Sequence, residues 1–121
     1  QQRVMIAMAL SCEPKLLIAD EPTTAIDAIT QFEILDEFLR IKEEYKVAMI
    51  FISHDLNAIS RVADRIVVFN QGLIVDQGEF YHIMHHAKDP YTRLLIEKRQ
   101  DVMRKYRKAL EGEVSHCAPA R

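Results

Sequence analysis

The stretch Leu16-Leu17-Ile18-Ala19-Asp20-Glu21-Pro22 decides the fold. Four consecutive apolar residues that stop abruptly at two acids and a proline form the pattern of a short strand covered on both faces, with carboxylates at its C-terminal end. Between Ala28 and Tyr45, Ile29, Phe32, Leu35 and Leu39 recur at helical spacing while Glu33, Asp36, Glu37, Arg40, Lys42 and Glu43 fill much of the rest, which predicts an amphipathic crossover helix. Val47-Ala48-Met49-Ile50-Phe51-Ile52 is a second buried-strand pattern, rich in strand formers and ending in Ser53-His54-Asp55. The unit is β-α-β. A right-handed crossover makes its strands parallel, so both C-terminal ends open onto one sheet edge, where Asp20, Glu21 and His54 are expected to converge.

Outward from this unit, Val4, Ile6, Ala7, Met8 and Leu10 crowd the first ten residues, which predicts a mostly buried helix ended by Ser11-Cys12-Glu13-Pro14. Met5, Met8 and Met49 are assigned to apolar faces. Asp55 can cap a short helix presenting Leu56, Ile59 and Val62. Arg65 to Phe69 and Leu73 to Val75 flank a turn at Asn70-Gln71-Gly72, the pattern of a hairpin. From Glu79 to about Gly112 the chain reads as helix, interrupted where Asp89-Pro90 supplies an N-cap and a first-turn proline.

The 121 residues are 49% hydrophobic, within the range of one globular domain or part of one. Sixteen Lys and Arg stand against 18 Asp and Glu, and the net charge of −2 gives no electrostatic reason to expect nucleic acid as a partner. No apolar run approaches the roughly 18 residues of a membrane span. Cys12 and Cys117 lie far apart without CxxC spacing, which suits a reducing compartment better than a disulfide framework. The chain begins with Gln1 inside a helical pattern, so upstream sequence is expected.

Open parallel sheets bind ligands at their carboxyl edge. Alternation along a strand turns Asp20 and Glu21 in different directions, so one can hold a hard cation while the other addresses a water. Phosphoryl transfer fits that spacing. A solvated strand terminus with capping acids, and a structural role for His54 alone, are the plain alternatives; the combination of all three favours a site.

Leu16 to Thr23 resembles the Walker B motif of ABC ATPases, Thr24-Ala25-Ile26-Asp27 resembles their D-loop with Ile26 in place of the usual Leu, and Ile52-Ser53-His54-Asp55-Leu56 resembles their switch-histidine segment. Gln1-Gln2-Arg3 is similar to the residues that follow the ABC signature loop. Pro90-Tyr91-Thr92 with Leu94-Leu95 resembles the end of ATPases from oligopeptide, dipeptide and nickel importers, with Asp89 where His is usual. The resemblance covers about residues 1–96 and implies an α/β, P-loop NTPase-like parallel sheet with flanking helices. Residues 1–88 would be the C-terminal part of an ABC ATPase domain and residues 89–121 a helical extension.

The resemblance also implies ATP and Mg²⁺ as ligands. Asp20 would be the Mg²⁺-associated carboxylate, Glu21 would polarise the attacking water, His54 would contact the γ-phosphate, and Asp27 would communicate across an ATPase dimer. It implies a peripheral protein at the cytoplasmic face of the inner membrane. Its partners would be transmembrane permease subunits, a second ATPase subunit and, indirectly, an extracytoplasmic solute-binding protein. The role implied is hydrolysis of Mg-ATP coupled to uptake of peptides or related small solutes. Rival readings are an ABC ATPase acting in DNA repair or on ribosomes, and a noncatalytic interaction module. No Gly-rich Lys-Ser/Thr phosphate loop occurs, and the three glycines stand at 72, 78 and 112. The chain by itself is therefore expected to be inactive, and one apolar sheet face or edge is expected to be open.

Outside these motifs, His82, His85 and His86 share a helical face and read as surface residues rather than a metal site. Lys98 to Lys108 holds six Lys and Arg and reads as a solvated face, or as a contact for anionic lipid. Cys117 alone cannot ligate an iron-sulfur cluster.

Overall fold

The computed structural model describes residues 2–116, and the side chains of residues 3–111. Gln1 and Cys117 lie outside them. The element order is α1 (Gln2–Ser11), β1 (Leu16–Asp20), α2 (Ala28–Tyr45), β2 (Ala48–Ile52), α3 (Leu56–Val62), β3 (Ile66–Asn70), β4 (Leu73–Gly78), α4 (Phe80–His86) and α5 (Pro90–His116). The architecture is mixed α/β and divides into two compact units at Asp64 and Arg65.

In the first unit β1 and β2 pair in parallel, in register from Leu16 opposite Ala48 to Asp20 opposite Ile52. The crossover helix α2 starts on the cap Asp27, whose carboxylate accepts the Thr30 N–H at 2.7 Å, and ends at Lys46 in the left-handed conformation. It buries Ile34, Leu35, Phe38 and Ile41, a stripe at three- and four-residue spacing. Ile34, Leu35 and Phe38 of that stripe share a core with the buried Leu17 and Ala19 of β1 and with Val47 just before β2, and Phe51 meets Phe38 edge to face at 5.4 Å between ring centres. Ala58 and Val62 of α3 complete the core.

Two expectations are corrected here. The strands are covered on one face only, not on both, and Leu16, Ile18, Ile50 and Ile52 are 45–59% exposed on the other, which is the open apolar face expected of this chain. The apolar runs cannot separate these cases, because a strand's side chains alternate between faces whether or not a second layer exists. α1 is not mostly buried: Val4, Met5 and Met8 are exposed, and only Ile6 and Ala9 pack against the core. A single helix face can meet one neighbour, so an all-round apolar helix needs layers that these residues do not supply. Met5 and Met8 are therefore not buried on an apolar face here.

The second unit opens with an antiparallel hairpin, in which Asn70 stands opposite Leu73 across the two-residue turn Gln71-Gly72. Both turn residues have positive φ, 50° and 79°, as a type I′ turn requires. Ile66 and Val68 point inward, while Val67 and Phe69 are exposed. α4 and α5 follow, with Ile83, Thr92 and Ile96 buried. The break between them falls where the sequence places it, and Asp89 caps α5 by accepting the Tyr91 N–H at 2.8 Å. Asp76 of β4 accepts the N–H groups of Lys88 at 3.3 Å and Asp89 at 3.1 Å, tying the connection between the helices to the hairpin. The buried Thr92 hydroxyl meets no partner in good hydrogen-bond geometry, yet its approach is the leading influence holding the Asp76 carboxyl below its usual range. Among the described residues the sheets are a parallel pair and a hairpin, each of two strands, the β-α-β unit and the hairpin that the sequence predicts.

Candidate active site

At the C-terminal edge of the parallel pair the ladder continues one residue past β1, because the Glu21 N–H donates to the Ile52 carbonyl at 2.8 Å. Glu21 then turns the chain with φ of 47°, a conformation uncommon for any residue with a Cβ. Pro22 sits at the second position of the tight turn that follows, where its fixed φ is preorganised, and the Thr24 N–H closes that turn on the Glu21 carbonyl at 3.3 Å. The left-handed residue lifts the Glu21 side chain out of the strand alternation.

Both Glu21 carboxylate oxygens are held. Oε1 lies 3.0 Å from His54 Nδ1, and Oε2 accepts from Thr24 Oγ1 at 3.0 Å. The His54 contact is the main cause that keeps the Glu21 carboxyl below its ordinary range; partial burial opposes it and the Thr24 hydroxyl adds to it. The Glu21 side chain is 36% exposed and that of His54 75%, so the pair is open to a ligand. A carboxylate has about four acceptor positions, and two remain for a water.

His54 stands just beyond β2 in a segment fixed on both sides. The Asp55 N–H donates to Ser53 Oγ at 3.0 Å, and the Asp55 carboxylate accepts from the Asn57 N–H at 2.9 Å and from Gln31 Nε2 at 2.8 Å. The crossover helix thereby braces the loop that carries the histidine. Asp20 ends β1 opposite Ile52 and is exposed.

The structure thus joins Glu21 to His54 and puts Asp20 at the same strand end. Asp27 serves α2 as its cap, and the Thr30 N–H is the main cause that holds its carboxyl below the usual range. Thr24 and Gln31 are the residues that sequence reasoning missed. A hydroxyl three residues after an acid that precedes proline is a signal for Thr24; no local signal marks Gln31, whose partner is 24 residues away.

An Mg²⁺ ion is ordinarily held by one or two carboxylates with phosphate oxygens and water completing the shell. The exposed Asp20 carboxylate fits that donor set. No group of three or more His, Cys, Asp or Glu forms a metal cage among the described residues. His82 and His86 lie with ring centres 5.4 Å apart on the exposed side of α4, and the His85 ring lies tilted against Tyr81. The groove between α1 and α2, lined by Ile6, Leu10, Arg40 and Tyr45 among others, includes none of the site residues. No helix among the described residues is long and apolar enough to cross a membrane.

No protein-family model matches the chain. Curated relatives do. Over 113 residues, 93% of this chain, it is 45% identical to the metal-staphylopine import system ATP-binding protein CntD of Staphylococcus aureus (strain NCTC 8325 / PS 47). Over 96 residues, 79% of this chain, it is 48% identical to the glutathione import ATP-binding protein GsiA of Escherichia coli (strain K12). The chain spans 42% of the length of the first and 15% of the second.

Proposed function

Because this chain belongs to the ATP-binding subunits of ABC importers, we propose that it contributes the water-activating side of an ATPase site, in a subunit that couples Mg-ATP hydrolysis to solute uptake. The observation that carries this reading is the contact of Glu21 with His54 at the C-terminal edge of parallel strands. Glu21 is oriented through both oxygens and ionised at neutral pH, so it can accept a proton from, or align, a water approaching a phosphoryl group. With Nδ1 of His54 engaged by Glu21, Nε2 is the ring nitrogen left to meet a phosphate oxygen. Asp20 would hold Mg²⁺, which supplies neutralisation of phosphate charge. Asp27, beside the site in sequence, would signal to a second ATPase subunit.

Residues 1–88 form the ATPase part and residues 89–121 an extension that opens with α5. Permease subunits are the partners and the cytoplasmic face of the membrane the location. The relatives' names concern metal-staphylopine and glutathione, and a peptide or related small solute is the cargo we assign. The 121 residues contain no Gly-rich Lys-Ser/Thr loop to cradle phosphates, so tested alone they should neither bind ATP at micromolar concentration nor hydrolyse it.

The test is Glu21→Gln in the intact subunit. Nucleotide binding should persist while phosphate release falls about a hundredfold or more, since the amide keeps the shape and loses the charge. Turnover near wild type would remove Glu21 from the role.

A further inference from the structure

Beyond Ile96 none of the described side chains of α5 is buried. Thr92 and Ile96 are buried, and the Arg99 guanidinium lies 5.2 Å above the Phe80 ring. Past that point Val102, Tyr106 and Leu110 recur every four residues with Met103 beside them, which makes one continuous stripe. All four are 46–60% exposed. One-residue offsets place Lys105 on one flank of Tyr106 and Arg107 on the other, and Lys98, seven residues before Lys105, extends the first flank. Arg104 and Lys108 lie further round. Residues 98–108 hold six Lys and Arg against one acid, Asp101, which pairs with Arg104, in a chain whose net charge is −2.

A second copy of this helix does not suit the stripe, because like charges on both flanks would face each other across the seam. A surface that is apolar within and negative at its boundary does. Such a surface takes an amphipathic helix lying in its plane, with aliphatic groups below the headgroups, Lys and Arg reaching the phosphates, and Tyr at the interface. We propose that the 98–110 segment of α5 is a docking face for anionic phospholipid. This inference is independent of the ATPase reading and concerns no residue used there.

The experiment is cosedimentation of the intact protein, purified without any permease, with vesicles of phosphatidylcholine alone and of phosphatidylcholine mixed with phosphatidylglycerol. Binding is expected to the anionic vesicles, to weaken with added salt and to be slight on the neutral ones. Lys105→Ala with Arg107→Ala should lower the partition coefficient about thirtyfold, from two cations near the surface. Val102→Ser with Leu110→Ser should lower it as well, through the stripe rather than the charge. All four positions are exposed, and unchanged thermal unfolding of the variants would show that folding is intact. No binding to the anionic vesicles, equal binding to both kinds, or variants that bind like wild type would overturn the proposal. So would a stripe variant that dissolves an oligomer while leaving lipid binding unchanged.

Discussion

Glu21 and His54 are 33 residues apart in sequence, and Oε1 of the one lies 3.0 Å from Nδ1 of the other. Two parallel strands in register bring them together, because Asp20 stands opposite Ile52 and each site residue follows its strand by one or two positions. This contact governs how the site responds to pH. The folded pKa of Glu21 is lowered from its ordinary 4.5, chiefly by His54. Its stabilising contribution is therefore fully present above that value and is lost as pH falls through the lower folded one. The stability advantage of wild type over Glu21→Gln should narrow as pH is lowered from about 6 to about 3. Denaturant midpoints at several pH values measure it, and a constant gap would contradict the assignment.

Thr24 holds the second oxygen of Glu21 from an exposed position. In the intact subunit Thr24→Val should lower turnover several-fold by freeing the carboxylate, while stability changes by no more than about 0.5 kcal/mol. Steady-state phosphate release and chemical unfolding of the same preparations separate the two effects. Unchanged turnover would show that His54 and the turn orient Glu21 unaided.

Asp76 closes the second unit by accepting two backbone N–H groups from the connection between α4 and α5. Asp76→Ala leaves both without that acceptor and should cost about 1–3 kcal/mol. Asp76→Asn, which keeps a carbonyl oxygen, should cost less. A loss under about 0.5 kcal/mol for the alanine variant would mean that water replaces the carboxylate without penalty.

The open face of the parallel pair predicts the behaviour of the 121-residue chain in isolation. Ile18 is 59% exposed there and Ile50 47%, beside two more large apolar side chains. Such a patch promotes association. Ile18→Lys with Ile50→Lys should shift light scattering of the isolated chain toward monomer without loss of helical circular dichroism. Undiminished association would move its cause to another exposed surface, such as the outer face of the hairpin.

Local chemistry determined much of this protein directly from its sequence. The apolar runs ending at Asp20 and Ile52, the helical spacing from Ala28 to Tyr45, the caps at Asp55 and Asp89 and the turn at Gln71-Gly72 each depend on neighbours within a few residues. Each is found where the pattern puts it. Convergence of Asp20, Glu21 and His54 was legible too, because parallel strands allow one outcome for their ends. Tertiary structure alone decided which sheet face is covered, how little of α1 is buried, and that Gln31 braces the loop carrying His54 through Asp55. The physical reason is that burial and side-chain hydrogen bonds are properties of pairs. An apolar residue reads the same whether or not a second layer reaches it, and a hydroxyl or amide reveals its partner only when the chain has brought the two within 3 Å.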